Sequence, residues 1–128
     1  MGSPVLGGVR RQLEEARAAL ADSGDRAARG DFDGAYRVAL RSRNLLFHAT
    51  RGLAAARGEP LPEMPVVGAT GGGGSLEDGK SASEALAKAL AATDDLVEVP
   101  PLLAAARAPY ARYLGFLRDE VGRRLRGG

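Results

Sequence analysis

The segment from Asp33 to Arg57 repeats its apolar residues with the period of an α-helix, and this repeat constrains the fold more than any other feature. The repeat forms one apolar row about 100° wide: Ala35, Val38, Ala39, Ser42, Leu46, Ala49, Leu53 and Ala56. Three other segments carry similar rows: Val9, Leu13, Ala16 and Leu20; Leu86, Leu90, Thr93 and Val97; Leu103, Ala106, Tyr110, Tyr113, Leu114, Leu117, Val121 and Leu125. Four amphipathic helices without a strand pattern predict an all-α, four-helix up-and-down bundle.

The composition favours the same fold class. The chain has 24 Ala and 17 Leu but no Ile, and Ala and Leu are strong helix formers. Its 128 residues are enough to bury a core, so we expect one domain over residues 1–128. Sixteen Arg against two Lys is a bias that a GC-rich bacterial genome would also produce.

Local signals predict where the first two helices begin and end. Ser3-Pro4 is a favourable helix start, and Ser23-Gly24-Asp25 should weaken or stop the first helix near Asp22. Gly30 should end a short helical turn, and Asp31 or Asp33 should cap the second helix.

Residues 58–79 read as a long Pro/Gly-rich loop between helices 2 and 3. Its Gly71–Ser75 stretch, GGGGS, is identical to a common laboratory linker, so a natural loop and an engineered join both stay open. The third helix is expected to start at Ser81 or Ser83, with Glu84 completing a capping box.

The last helix is expected to run from about Leu102 to Leu125. Pro100-Pro101 should separate it from the third helix, and Pro109 should kink it.

Composition also excludes several kinds of site. Without cysteine, and with one histidine, we expect no disulfide, no thiolate chemistry, no metal and no cofactor. No apolar stretch approaches the length of a membrane span, so a cytoplasmic location is expected. Net charge changes along the chain, from +4 over residues 1–57 to −6 over 58–100 and +4 over 101–128, which would allow the chain to pair with itself.

The second helix carries a basic row opposite its apolar row. That row is Arg37, Arg41, Asn44, His48 and Arg51. Arginines bind phosphates through paired hydrogen bonds, and histidine transfers protons near neutral pH. RNA cleavage is therefore one interpretation, with His48 as general acid or base and Arg43 or Arg51 stabilising the transition state. The other interpretation is an ordinary solvated face.

A family resemblance lies at the same residues. The segment Gly30-Asp31-Phe32-Asp33-Gly34-Ala35, followed by a helix that ends in Arg57-Gly58, resembles HEPN-type helical domains over residues 10–60. The resemblance implies, for many members, a metal-independent endoribonuclease whose motif is an Arg and a His separated by four to six residues, usually with a polar residue directly after the Arg. Arg43-Asn44-Leu45-Leu46-Phe47-His48 fits it, so the resemblance implies that Arg43, Asn44 and His48 are catalytic. Members without the motif are implied to bind nucleotides or nucleotidyltransferases.

A second apolar surface is expected from residues outside the main rows: Tyr36, Leu40, Phe47 and Phe116. Such a surface either completes the bundle or forms a homodimer interface, and we favour the dimer. The predicted function is a small cytoplasmic interaction module that binds a protein partner or a second copy, with Arg37, Arg41 and Arg51 as binding residues. An RNA-cleaving or nucleotide-binding protein is the alternative.

Overall fold

The computed structural model describes the backbone of residues 4–60, 74–92 and 99–127, and the side chains of 8–60, 74–92 and 104–125. Within these ranges the chain forms four α-helices and no strand: α1 Pro4–Ala28, α2 Phe32–Arg57, α3 Leu76–Ala91 and α4 Val99–Gly127. The predicted all-α fold is confirmed.

The turn between α1 and α2 is built on Gly30 and Asp31. Gly30 has a φ of 87°, in the left-handed region that glycine enters without steric cost. The Asp31 carboxylate accepts a hydrogen bond from the backbone N–H of Gly34 at 3.0 Å, so Asp31 is the cap of α2. The tight turn makes α1 and α2 antiparallel neighbours.

Helix α1 continues past its predicted end near Asp22. It runs through Ser23 and stops at Ala28. The Ser23 hydroxyl is buried and donates a hydrogen bond to the Ala35 carbonyl of α2 at 2.7 Å. The residue expected to interrupt α1 therefore joins it to α2, because the neighbouring helix supplies the hydrogen-bond acceptor.

Helix α3 begins at Leu76, not at Ser81 or Ser83. The Asp78 carboxylate accepts a hydrogen bond from the backbone N–H of Ser75 at 2.9 Å. It also forms an ion pair with Arg112 of α4 at 2.9 Å. These contacts with the helix start and with α4 favour the earlier start. Residues 76–79 of the predicted loop are thus helical, while 61–73 lie outside the described residues.

The glycine before Ser75 fits closely against α4. A Cβ on Gly74 would overlap the carbonyl oxygen of Arg112 and approach the Cβ of Phe116 to 3.1 Å. This end of the GGGGS stretch is therefore packed against the bundle and needs a residue without a side chain.

Helix α4 includes the prolines that were expected to precede it. Pro100 and Pro101 lie in its first turn, where a backbone N–H has no helical partner and its loss costs little. The helix also continues on both sides of Pro109.

The contacts between helices differ from those of an up-and-down bundle. Helix α1 packs against α2 and α3, and α4 packs against α2 and α3. Arg10, near the start of α1, donates a hydrogen bond to the Leu90 carbonyl near the end of α3 at 3.2 Å, so these two helices are antiparallel. Helices α2 and α4 are also antiparallel, because Ala39 faces Tyr110 while Phe32 faces Phe116. In chain order the four helices point up, down, down and up. They occupy the corners of a square in which α2 and α3 are diagonally opposite.

One core joins all four helices. Its fully buried large side chains are Leu13, Leu86, Tyr110, Tyr113, Leu114 and Leu117. The predicted rows supply most of it, and the hydroxyls of Tyr110 and Tyr113 also lie inside the bundle. The Ser23 hydroxyl already donates to Ala35, so Tyr113 donates to Ser23 across 2.7 Å. Burial raises the pKa of both Tyr110 and Tyr113 above the ordinary value of tyrosine, so both hydroxyls stay protonated at alkaline pH values where an exposed tyrosine ionises.

Candidate functional site

The exposed face of α2 carries the basic row that its sequence predicts. Arg37, Arg41, Asn44, His48 and Arg51 are all exposed, while the apolar row on the other side of α2 is mostly buried. Because an α-helix rises 1.5 Å per residue, the row from Arg37 to Arg51 is about 21 Å long. The predicted exposure of this face is confirmed.

The arginines of the row differ in how far their charge is already satisfied. Arg37 forms a hydrogen-bonded ion pair with Asp33, one turn earlier. That hydrogen bond and the negative charge of Asp33 raise the pKa of Arg37. Arg41 has no hydrogen-bond or ion-pair partner within the described ranges, so its guanidinium is available to an external anion.

Arg51 lies beside an aromatic ring. Its guanidinium carbon is 5.7 Å from the ring centroid of Phe47, within the range of a cation–π contact. The His48 ring lies 6.0 Å from the same ring. Phe47 is half-buried and therefore offers a partly accessible aromatic surface within a group of basic side chains.

The three predicted catalytic residues are only partly brought together. The Arg43 guanidinium donates two hydrogen bonds to the Asn44 side-chain oxygen, at 3.1 and 3.3 Å. On an ideal helix Arg43 and His48 lie about 140° apart, and the described residues show no contact between them. The Arg43–Asn44 contact nevertheless turns the guanidinium towards the side of α2 that carries His48.

The packing of α2 beside α4 places two basic helices together. Helix α2 has five Arg and one Asp, and helix α4 has six Arg, one Asp and one Glu. On the other side of the bundle, α1 has four Arg and four acidic residues, and α3 has two Lys and three acidic residues. The α2/α4 side therefore has a strong excess of positive charge, and the α1/α3 side has none.

Comparison with protein-family models, with curated proteins and with solved structures found no match to this chain. The site is therefore interpreted from its own residues.

Sequence reasoning missed one residue of this basic side. Arg107 of α4 is exposed and has no partner within the described part of the chain. It lies one turn before Tyr110, which faces Ala39, so the antiparallel packing brings it to the level of Arg43. The signal that could have found it is the absence of any Asp or Glu over residues 34–58 and 99–118.

Most of the predicted apolar interface is used inside the monomer. Tyr36, Leu40 and Phe116 are half-buried against the core. Phe116 packs edge-on against Phe32 with ring centroids 6.0 Å apart, as expected if this surface completes the bundle. Phe47 is left as the partly exposed member, and the homodimer stays a prediction.

Two features are absent from the part of the chain that the structure describes. No helix there has both the length and the apolar character needed to cross a membrane. No group of three or more His, Asp or Glu side chains there could hold a metal ion.

Proposed function

We propose that this chain is a small helical interaction module that binds single-stranded RNA along the basic side formed by α2 and α4. The observation that carries the proposal is the exposed row from Arg37 to Arg51, in a stretch of 25 residues (34–58) without one acidic residue. A cytoplasmic location belongs to the same proposal. The predicted protein partner and homodimer are separate from this proposal, which gives the binding residues Arg37, Arg41 and Arg51 to RNA.

The side chains of the row favour RNA over an acidic protein. Arginine pairs its planar guanidinium with phosphate oxygens, and Arg41 has no internal partner that would compete. Single-stranded nucleic acids also bind by stacking bases on aromatic side chains beside basic ones. Phe47, flanked by His48 and Arg51, supplies such a ring.

Neutralising two arginines of the row should weaken RNA binding and its dependence on salt. For Arg41→Gln/Arg51→Gln we expect the slope of log K against log salt to become shallower by about 1.4, because each phosphate contact on a single strand contributes about 0.7. Fluorescence anisotropy of a labelled single-stranded RNA, measured over a series of salt concentrations, gives this slope.

The matched control is Arg11→Gln/Arg17→Gln on α1. Both arginines are exposed, and the change in net charge is the same. An equal change of slope in the two variants would mean that binding follows net charge alone and that α2 is not the site. Absence of binding at low salt would also reject the proposal.

A second candidate function, RNA cleavage, rests on the contact between Arg43 and Asn44. The hydrogen bonds at 3.1 and 3.3 Å hold a cation near the side of α2 that carries His48, as the HEPN-type motif would require. In this mechanism the 2′-hydroxyl of the RNA attacks the adjacent phosphorus and the 5′-oxygen of the next nucleotide leaves. His48 takes the proton from that hydroxyl or gives one to the leaving oxygen, and Arg43 stabilises the negative charge on the phosphorus-bound oxygens.

Cleavage by this mechanism would not need a metal and would need His48. Incubation of labelled total RNA in EDTA should then give fragments with the wild type and at least about 100-fold fewer with His48→Ala. His48 is exposed, so the variant should keep its helicity in circular dichroism. Intact RNA with both proteins would reject cleavage and leave binding as the function.

A further inference from the structure

A groove runs between α1 and α3, on the side of the bundle away from the basic row. One part has a volume of about 510 Å³ and extends from Leu20 to Ala28 on α1. A second part of about 260 Å³ continues it towards Glu14. Ala21 and Ser83 line both parts, so the two form one continuous depression.

The shape of this groove fits a helix better than a small molecule. Its walls cover 15 residues of α1, from Glu14 to Ala28, and 15 of α3, from Leu76 to Leu90, which is about 21 Å at 1.5 Å per residue. Small residues line it: Ala18, Ala21, Gly24, Ala28, Gly79 and Ser83. Small side chains allow another helix to approach to the usual 8–10 Å between axes.

The charge of the groove lining is negative on balance, since four carboxylates (Glu14, Asp25, Glu77 and Glu84) face two cations, Arg17 in the smaller part and Lys80 in the larger. Asp25 of α1 and Glu84 of α3 line its larger part, and neither carboxylate has a hydrogen-bond or ion-pair partner within the described ranges. The lysine in that part, Lys80, is paired with Glu77 at 3.4 Å. A partner with positive charge on both flanks would satisfy the two carboxylates, one on each wall.

We propose that this groove binds an amphipathic helix of another protein, with small or apolar residues along one face and Lys or Arg beside them. This is a helix-in-groove interaction. A second copy of the chain is a poorer occupant, because its basic helix α2 has already buried its apolar row in its own core. The proposal is independent of RNA binding by α2.

The test uses a synthetic probe peptide of about 18 residues, long enough to fill the groove as a helix. The peptide has an Ala/Leu face flanked by lysines, and its matched partner has glutamate in place of each lysine. Fluorescence anisotropy should show the lysine peptide binding at least about tenfold more tightly than the glutamate peptide. Asp25→Asn/Glu84→Gln should reduce that preference.

The decisive variant is Gly24→Leu. Gly24 lines the larger part of the groove, and a Cβ there meets no atom within 4 Å, so a leucine side chain starts in open space and takes up volume that the partner helix needs. Leucine would also favour the helix. Gly8→Leu is the control, because a Cβ on Gly8 also meets no atom within 4 Å and Gly8 does not line either part of the groove. We expect the Gly24→Leu variant to lose binding of the lysine peptide and the Gly8→Leu variant to retain it.

Three results would overturn the proposal. One is equal binding of the lysine peptide to Gly24→Leu and to the wild type. Another is equal binding of the two peptides by the wild type. The third is self-association in sedimentation experiments that Gly24→Leu abolishes, since the occupant would then be a second copy. Retained RNA binding by Gly24→Leu would verify its fold and separate this test from that of α2.

Discussion

Tyr113→Ala is expected to lower the free energy of unfolding by about 3–5 kcal/mol, the usual cost of removing a buried aromatic side chain. Tyr113 is fully buried, and its ring lies under Gly79 of α3, where a Cβ would come within 3.0 Å of a ring carbon. Its hydroxyl bonds to Ser23 of α1. One side chain of α4 therefore supports two other helices, and total stability in domains of this size is only about 5–15 kcal/mol.

Urea unfolding followed by circular dichroism measures this change. Tyr113→Phe is the matched control, since it keeps the ring and removes only the hydroxyl. Ser23 still donates to the Ala35 carbonyl, so the control should cost about 1 kcal/mol. If both variants lost the same stability, the hydrogen bond and not the ring would be the main contribution of Tyr113.

Deleting residues 61–73 is expected to prevent the chain from closing its bundle as a monomer. The end of α2 and the start of α3 lie at opposite ends of the bundle, because Gly52 of α2 packs near Val9 and Arg10 bonds to Leu90 near the end of α3. The connection must therefore cover at least the length of the 16-residue α3, about 24 Å. The five remaining residues join Arg57 to Leu76 through six Cα–Cα steps, which reach at most about 22 Å.

The shortened chain should either unfold or exchange helix pairs between two copies. Light scattering after size-exclusion chromatography and a thermal melt distinguish these outcomes from a stable monomer. The control doubles the connection with Gly and Ser, which should cost only about 0.6 kcal/mol. A stable monomer after the deletion would show that α2 and α3 are direct antiparallel neighbours, as an up-and-down bundle requires.

The helix boundaries show where local sequence reasoning stops. The predicted stop near Asp22 and the predicted start at Ser81 were both sound local signals, yet both were wrong. Ser23 finds its acceptor on α2, and Asp78 finds Arg112 on α4. In each case the deciding partner is a residue on another helix, which local propensity does not include.

The candidate site, like the helices, was predicted in its local part and not in the part that depends on neighbouring helices. The exposed row on α2 follows from helical spacing, and the structure places it as expected. The contribution of Arg107 to the basic side does not follow from helical spacing, because no local signal indicates which helix lies beside α2. For the same reason, the helical spacing could not choose between the two uses of Phe116, in the bundle or in a dimer, because its partner Phe32 is on another helix.

The sequence by itself determined that the chain forms helices, which face of α2 is buried and where its basic row lies. Side chains 3.6 residues apart share a face of a helix, so each segment determines these properties by itself, without its neighbours in the fold. Only the tertiary structure decided which helices are neighbours, and so that α2 and α4 form one basic side while α1 and α3 enclose a groove. The connection after α2 is long enough to let α3 pack either beside α2 or diagonally across from it, at nearly the same entropic cost of closing the loop. The choice between them therefore depends on specific packing, such as Tyr113 beneath Gly79 and against Ser23.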